Sequence, residues 1–590
     1  VARRETPPQR PAPDRLRHGA AAGRAGAWQV PPPLPGIIER VAPAEAPALG
    51  PALLPPEPTA ATGPGAARRL PIGRIAITGN TALPASLLRP LLEGQEATLA
   101  EVEAARLAIL GAYRAAGFAY VAVAATASSA TASSGTASSG TEGRVDLRFT
   151  VTEGFIADIA LEGAGIGPAE AQVRRLLAPL LGQRPLPHAA LERALLLAGD
   201  IPGMEARGLL RPMEGDPGAL QLLVRLTRRP LSGFASLDNR GYSLTGAWQG
   251  LLVGQVNSLT RFGERTELAL LRTDANGQGF AQLSQEWFLG GSGLRLRAFA
   301  GAGRAAPGSA LAALGYLGET RVAGIGLSHP LIRSRPRNLV LTAQFDAFDS
   351  EVQTRPFPDA ARQTASRDSV RALRFGIEGQ AQDAFLSFLP AAATSTLTLR
   401  AHRGLEALGA SDGSGGGTAR AGSDFGFTRL VAEASRLQPL LVPAEGWLLS
   451  AYGIAAAQWS DDWLPPAEKF YLGGNRLGRG FHAGQLSGDR AIAGTAELQL
   501  ATEFDLRWPN GGTRLGTQFY LFRDEARAAD NGSDIAARHL ASWGGGIRLQ
   551  FDERAQIDVE AVRRLTRTPE GAGVRVLEAD AVYVRLLLRY

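Results

Sequence analysis

The chain has no cysteine in its 590 residues. That excludes a thiol nucleophile, a cysteine-ligated zinc or iron–sulfur centre and a disulfide scaffold. It has one lysine, Lys469, so the other 61 basic residues are arginines. Without a Gly-Lys pair there is no P-loop lysine and no kinase-type VAIK lysine. The six histidines (His18, His188, His329, His402, His482 and His539) are scattered. None is paired at HExxH or other metal spacing. No run of 18 apolar residues occurs, which excludes a transmembrane helix. Transmembrane strands alternate and escape that test, so a membrane barrel stays open. The net charge of +6 is small for this length. The arginines are spread rather than clustered with aromatics, which argues against nucleic-acid binding.

What is present changes character along the chain. Residues 1–70 hold 15 of the 38 prolines. Proline removes backbone donors and blocks helix and sheet interiors, so an extended segment is expected there. The chain opens on Val1 without a charged-then-apolar leader. The expectation is that a leader was removed or that the start is misplaced.

From about residue 71 the pattern predicts a strand at 74–78 and a short helix at 85–92. A longer helix follows at 99–116, ended by Gly117, and strands at 118–125 and 144–152. A Ser/Thr/Ala/Gly-rich insertion, 126–143, lengthens the hairpin between those two strands. The order β-α-α-β-β then recurs. A strand is expected at 156–161, helices at 169–180 and 191–198, and a strand pair at 206–211 and 220–227. Two copies of one unit in tandem form an internal repeat.

After residue 230 the helical period disappears. About sixteen alternating segments follow, split by Gly-, Pro-, Asp- and Ser-rich turns. In the clearest, Leu498, Leu500, Thr502, Phe504, Leu506 and Trp508 share one face. Glu497, Gln499, Glu503, Asp505 and Arg507 share the other. Apolar-out, polar-in alternation at this length is what a bilayer barrel needs, and sixteen strands enclose a wet lumen. A propeller would show a repeated blade motif, and none is visible. The fold class expected is therefore mainly β: a 16-stranded transmembrane antiparallel β-barrel preceded by two α+β units.

Several stretches resemble a known family. Ile75-Ala76-Ile77-Thr78-Gly79-Asn80 with Leu83-Pro84, Ala112-Tyr113 through Gly117-Phe118, and Val151-Thr152-Glu153-Gly154 resemble a POTRA domain. Leu195-Leu196-Leu197 with Asp200-Ile201-Pro202-Gly203 resembles a second one. Leu237-Asp238-Asn239-Arg240-Gly241 resembles the entry into a barrel. The sharpest element is Phe470-Tyr471-Leu472-Gly473-Gly474, then Arg479-Gly480-Phe481, then Gly488-Asp489-Arg490. Together they resemble the two-partner secretion transporters, the ShlB/FhaC/HecB family of the BamA-like superfamily, over residues 70–590.

The resemblance implies a division of the chain. Residues 1–70 are a plug and linker, 71–154 and 155–229 two POTRA domains, and 230–590 the barrel. A loop at about 461–495, between the eleventh and twelfth strands, folds back into the lumen. Its tip, Arg479-Gly480-Phe481, is expected to meet Phe522 and Asp524 of a Phe-x-Asp motif on the wall. A carboxylate matches the arginine fork bidentately, which gives that pairing an independent logic. The family tip usually carries valine or a similar residue where this chain has Gly478.

The resemblance also implies a function. It points to an outer-membrane pore with its POTRA domains in the periplasm. The pore would translocate a large unfolded exoprotein of haemolysin or adhesin type, recognised through an N-terminal secretion domain. A monomer in outer-membrane lipid is expected, with no enzymatic site, no cofactor, no metal and no nucleic acid. Two other readings stay open. One is a barrel-assembly or autotransporter-assembly factor, whose relatives usually carry three or five POTRA domains. The other, from a different class, is a solute porin or receptor. Gly301-Ala302-Gly303-Arg304-Ala305-Ala306 imitates a dinucleotide fingerprint but lies in a strand pattern. No intact Gly-x-Ser-x-Gly suggests a lipase.

Overall fold

The computed structural model describes residues 69–590 except 89–91, 130–143, 242–244, 275–276, 309–314, 356, 358–359, 387–388, 390, 414–416, 509–510, 533–536 and 570–575. The expected plug and linker, apart from 69–70, and most of the Ser/Thr-rich insertion lie outside the described residues.

The first unit runs β1 (Arg69–Thr78), α1 (Ala85–Leu88), β2 (Glu96–Thr98), α2 (Leu99–Ala115), β3 (Val121–Ser129) and β4 (Val145–Glu153). Thr98 starts α2 with a capping box. Its hydroxyl accepts from the Glu101 amide at 3.2 Å, and the Glu101 carboxylate accepts from the Thr98 amide at 2.6 Å. Gly117, at φ +91°, ends the helix in the left-handed conformation that glycine adopts without strain. The sheet order is β2-β1-β4-β3, with β1 parallel to β4. Two expectations change. The short β2 was not foreseen, because three residues carry no readable period. And β3 continues to Ser129, so the first four residues of the insertion are strand. Serine and threonine pair in a ladder as well as any residue, which composition alone conceals.

The second unit repeats the plan. It contains β5 (Phe155–Glu162), α3 (Glu170–Leu177) flanked by 3-10 turns, α4 (His188–Gly199), β6 (Met204–Pro212) and β7 (Ala219–Arg228). Its core joins Val173, Leu176 and Leu177 of α3 to Leu191 and Leu197 of α4 and Leu222 and Val224 of β7.

Among the described residues, sixteen strands then close into one antiparallel barrel. In chain order they begin with β8 (Leu231–Asp238), β9 (Gln249–Asn257), β10 (Arg265–Thr273), β11 (Gln278–Leu289), β12 (Leu294–Ala305), β13 (Leu317–Arg333), β14 (Arg337–Thr354) and β15 (Gln363–Asp383). Then come β16 (Ala393–Gly404), β17 (Thr428–Leu441) and β18 (Trp447–Trp459). Two short strands follow, β19 (Phe470–Leu472) and β20 (Leu486–Gly488), which pair with each other outside the barrel sheet. The barrel resumes with β21 (Arg490–Trp508), β22 (Gly511–Ala529), β23 (Arg538–Phe551), β24 (Ala555–Arg564) and β25 (Asp580–Arg589). Pro330 in β13 and Pro439 in β17 each sit at a register shift, where the missing donor is tolerated. The seam pairs β25 with β8 from Arg585↔Asp238 to Arg589↔Phe234. Asn239 extends it with its side chain, donating to the Val582 carbonyl at 3.0 Å and accepting from the Val584 amide at 2.8 Å. Asp238 ends β8, and Asn239 carries the pairing one step beyond it.

The second unit is bolted to the barrel's nearer turns. Arg333 forks onto Asp200 at 2.8 and 2.6 Å. Arg193 donates to the Pro330 carbonyl at 2.6 Å, and Gln172 to that of Gly290 at 2.6 Å. Phe288 of β11 is buried in the second unit's core. These contacts set which end of the barrel receives the α/β units.

The alternation holds with two corrections. Leu251, Val253, Leu271, Phe280, Phe299 and Val322 form an apolar cluster on the inward parity, so the lumen is not polar throughout. Arg523, Glu525 and Arg527 face outward on β22, toward the end farthest from the α/β units. Alternation fixes only which residues share a face; neighbouring strands and height above the hydrocarbon decide what that face meets.

Candidate functional site

Between β18 and β21, residues 460–489 turn into the lumen. The expected end at 495 moves to 489, because Arg490 already starts β21. The loop descends through a 3-10 turn, Pro466–Glu468. It then narrows to the two-stranded neck of β19 and β20.

The tip is folded on itself. The Gly473 amide donates to the Leu477 carbonyl at 2.9 Å, Gly474 to Phe481 at 2.9 Å and Phe481 to Gly478 at 3.0 Å. Gly478 adopts φ +81°. A Cβ there would also lie 2.8 Å from Leu540 Cδ1. The departure from valine therefore has a local cause: a β-branched residue does not adopt this backbone without strain.

The tip docks on the inner wall. Leu472, Leu477, Phe481 and Leu486 pack against Ile454, Ala456, Ala491, Ala493, Ala526, Ala528 and Leu540. Phe481 is 0 % exposed, a burial worth about 1.5–3 kcal/mol. Gly480 lets the backbone touch the wall: a Cβ there would lie 2.7 Å from Ser542 Cβ and 2.9 Å from Val562 Cγ1.

Arg479 sits among three carboxylates. Its backbone N–H donates to Asp524 Oδ2 at 2.5 Å, and one guanidinium nitrogen reaches Asp524 Oδ1 at 3.4 Å. The other terminal nitrogen pairs closely with Glu497 and lies 3.8 Å from Glu560 Oε2. The guanidinium carbon stands 3.6 Å from the Phe522 ring centroid. Phe522 and Asp524 reach the same arginine because they are two apart on β22 and so point to one face. Arg523, between them, points outward to Glu525.

Two further arginines complete the cluster. Arg240 donates to the Arg479 carbonyl at 2.6 Å and to Glu560 at 2.5 Å. Arg548 holds Glu497 at 2.7 and 3.2 Å. Three arginines thus face three carboxylates, and a fourth buried arginine, Arg564, donates to the Gly480 carbonyl at 2.5 Å. Pairing matters, because an unmatched buried charge is expensive.

The structure therefore brings Arg479, Gly480, Phe481, Phe522 and Asp524 together. It also brings in Glu497, Glu560, Arg240 and Arg548, which the sequence reading did not name as site residues. A signal for Glu497 existed. It lies on the polar face of the clearest alternating segment, on the strand that the loop leads into. Arg240 lies inside a stretch already singled out at the barrel entry. Nothing local marked Glu560 or Arg548.

The loop has two more anchors. At its root, Glu468 accepts from Arg374 at 2.7 Å and pairs with Arg429 at 2.9 Å, with His402 Nδ1 3.8 Å away. At its end, Asp489 is gripped by Arg420 at 2.7 and 2.9 Å. Lys469, the single lysine, pairs with Asp530 at 2.7 Å. Among the described residues, no group of three or more His, Asp or Glu is placed to hold a metal ion.

Comparison with known proteins agrees with this architecture. The family described as haemolysin secretion/activation protein ShlB/FhaC/HecB matches residues 221–549. The POTRA family, described as surface antigen variable number repeat, matches residues 70–154. The heme/hemopexin transporter protein HuxB of Haemophilus influenzae (strain 86-028NP) is 28% identical over 145 residues. That stretch is 24% of this chain and 26% of HuxB, about a quarter of each. CdiB from Escherichia coli has a similar fold, with a TM-score of 0.67 at 18% identity over 92% of this chain and 94% of CdiB. CdiB from Acinetobacter baumannii gives 0.60 at 15% identity over 88% and 90%. With a closed sixteen-stranded barrel, POTRA units at its periplasmic end and the family match across more than half its length, the chain belongs to the ShlB/FhaC/HecB family of outer-membrane two-partner secretion transporters.

Proposed function

We propose that this chain exports one partner protein across the outer membrane. The partner is a large exoprotein of haemolysin or adhesin type that crosses unfolded. Its N-terminal secretion domain is received by the POTRA units in the periplasm, where an extended segment can add to a sheet edge or lie in an apolar groove. The pore acts as a monomer, and residues 1–70 serve as plug and linker.

The observation that carries this reading is the loop 460–489 held inside the lumen by charge pairs at root, tip and end. A lumen filled by a loop on polar anchors is a conduit with a removable occupant. The tip is held by apolar packing as well as by ion pairs. Once solvent enters, the ion pairs hold only weakly, because a solvated pair is worth about 0–1 kcal/mol. No nucleotide site is needed if folding outside the cell prevents return.

The test is comparative proteomics of culture medium and outer membrane, with and without the gene. Loss of one or two very large proteins from the medium, with the outer membrane unchanged, is the expected result. A broad fall in outer-membrane barrels would move the function to general assembly. No change in either fraction would leave a solute pore.

A further inference from the structure

The barrel rim has a step. β15 pairs with β14 along its whole length, from Thr354↔Gln363 to Arg337↔Ala381. Its pairing with β16 stops at Ala372↔Gly404. Residues 363–371 therefore rise past the end of β16, and among the described residues no strand pairs with that flank, about 30 Å of sheet edge. The step lies at the outer end of the barrel, away from the POTRA units.

This edge is covered by the segment that follows β16. The Arg367 amide donates to the Gly417 carbonyl at 2.6 Å, the Ser411 amide to Ser369 at 2.9 Å and the Leu405 amide to Arg371 at 2.8 Å. The Ser369 amide donates to Ser411 Oγ at 3.0 Å, and Arg371 Nε to the Leu408 carbonyl at 3.1 Å. Arg367, Ser369 and Arg371 alternate, as main-chain groups do along one flank of an antiparallel strand. The described residues of the cover, 405–413 and 417–419, form no strand. Leu408, Gly409, Gly413 and Gly417 all have positive φ. A long edge is a template for pairing, and this one is blunted by an irregular loop rather than by a partner strand.

The cover is tied to the lumen loop. Arg420 forks onto Asp489 at 2.7 and 2.9 Å, and Asp489 also accepts from the Asn531 amide at 2.8 Å. Asp489 is 0 % exposed. The cover and the lumen loop therefore share this one buried anchor.

We propose that residues 363–371 of β15 are a docking edge for the exported polypeptide, whose first emerging segment displaces the contacts made by Leu405, Leu408, Ser411 and Gly417 and adds to the sheet as a strand. The proposal rests on the export reading. The occupant follows from the chemistry of the edge. An edge recognises main-chain N–H and C=O groups at two-residue spacing and makes no demand on side chains. A chain that crosses a lumen unfolded reaches the rim with those groups unpaired. Pairing at the rim gives it a first strand on which to build, and holds it outside.

The absence of cysteine supplies the test. Ser369→Cys with Ser411→Cys joins backbones that are already hydrogen-bonded, so oxidation locks the cover on the edge. The probe is the protein lost from the medium when the gene is deleted. Its appearance outside is expected to fall at least tenfold with the oxidised pair and to recover on reduction, while it still co-purifies with the transporter. A second readout separates a blocked edge from a plugged mouth. In a chain carrying Ser369→Cys alone, cysteines placed in the emerging segment of a stalled partner are captured. With Arg563→Cys, on β24 across the barrel, they are not. Unchanged export by the oxidised pair, or equal capture at 369 and 563, overturns the docking edge. Absence of export by the unmodified chain in the same cells removes the export reading, and the edge with it.

Discussion

Arg479 pairs most closely with Glu497, eighteen residues further along the same chain, and only at longer range with Asp524 and Glu560. The loop tip is thus tied to the strand that the loop itself leads into. Asp524 acts differently. It takes the Arg479 backbone amide, together with the Thr495 hydroxyl at 2.8 Å. Both carboxylates are needed, one for the side chain and one for the turn.

Arg479→Ala is expected to abolish export while the barrel still assembles. Glu497→Gln is expected to be at least as damaging as Asp524→Asn. Each leaves a buried arginine short of a counter-charge, a loss of about 3–5 kcal/mol. Protease access to the loop in intact cells and export of the partner are the measurements. Wild-type behaviour in Glu497→Gln would return the arginine to Asp524 alone.

Gly480→Ala tests contact with the wall. The new methyl group meets Ser542 and Val562, and overpacking of this kind costs about 1–3 kcal/mol. The tip is expected to lift and become protease-sensitive, although no charge has changed. Unaltered protection would mean that the wall yields.

Glu468→Gln tests the root anchor. Arg374 and Arg429 lose their shared carboxylate while the tip cluster is untouched. Larger current fluctuations in a planar bilayer are expected, and larger still when Arg479→Ala is added. A quiet double variant would assign the hold on the loop to apolar packing.

Glu153 makes the first POTRA unit acid-sensitive. Burial opposes its charge. The hydroxyls of Thr81 and Tyr113 and the amides of Thr81 and Ala82 outweigh that, and hold it below the ordinary carboxylate range. A lowered folded value means stability that is present above about pH 4–5 and lost as pH falls through that folded value. The hydrogen-exchange protection factors of residues 79–83 in the full chain are expected to fall in acid, and in Glu153→Gln to be low already at neutral pH with no acid step.

Removal of residues 1–65 is expected to raise ion conductance in a planar bilayer. Equal conductance with and without them would dispose of the plug.

The sequence by itself determined the strand number and the repeat of the α/β unit. Each rests on a local period, and a local period is a property of consecutive residues. The place of the lumen loop carries no such period; it was legible only through the resemblance of its tip motif to the family. Phe522 and Asp524 were named through the same resemblance, and they reach one arginine because positions two apart on a strand share a face. Tertiary structure alone decided which other residues meet Arg479. Arg240, Glu497, Arg548 and Glu560 come from four separate stretches of chain, brought together only when the barrel closes. Barrel closure also decided which inward faces are apolar and where β15 is left as an edge. Those outcomes depend on the register between strands, and no single strand carries that information.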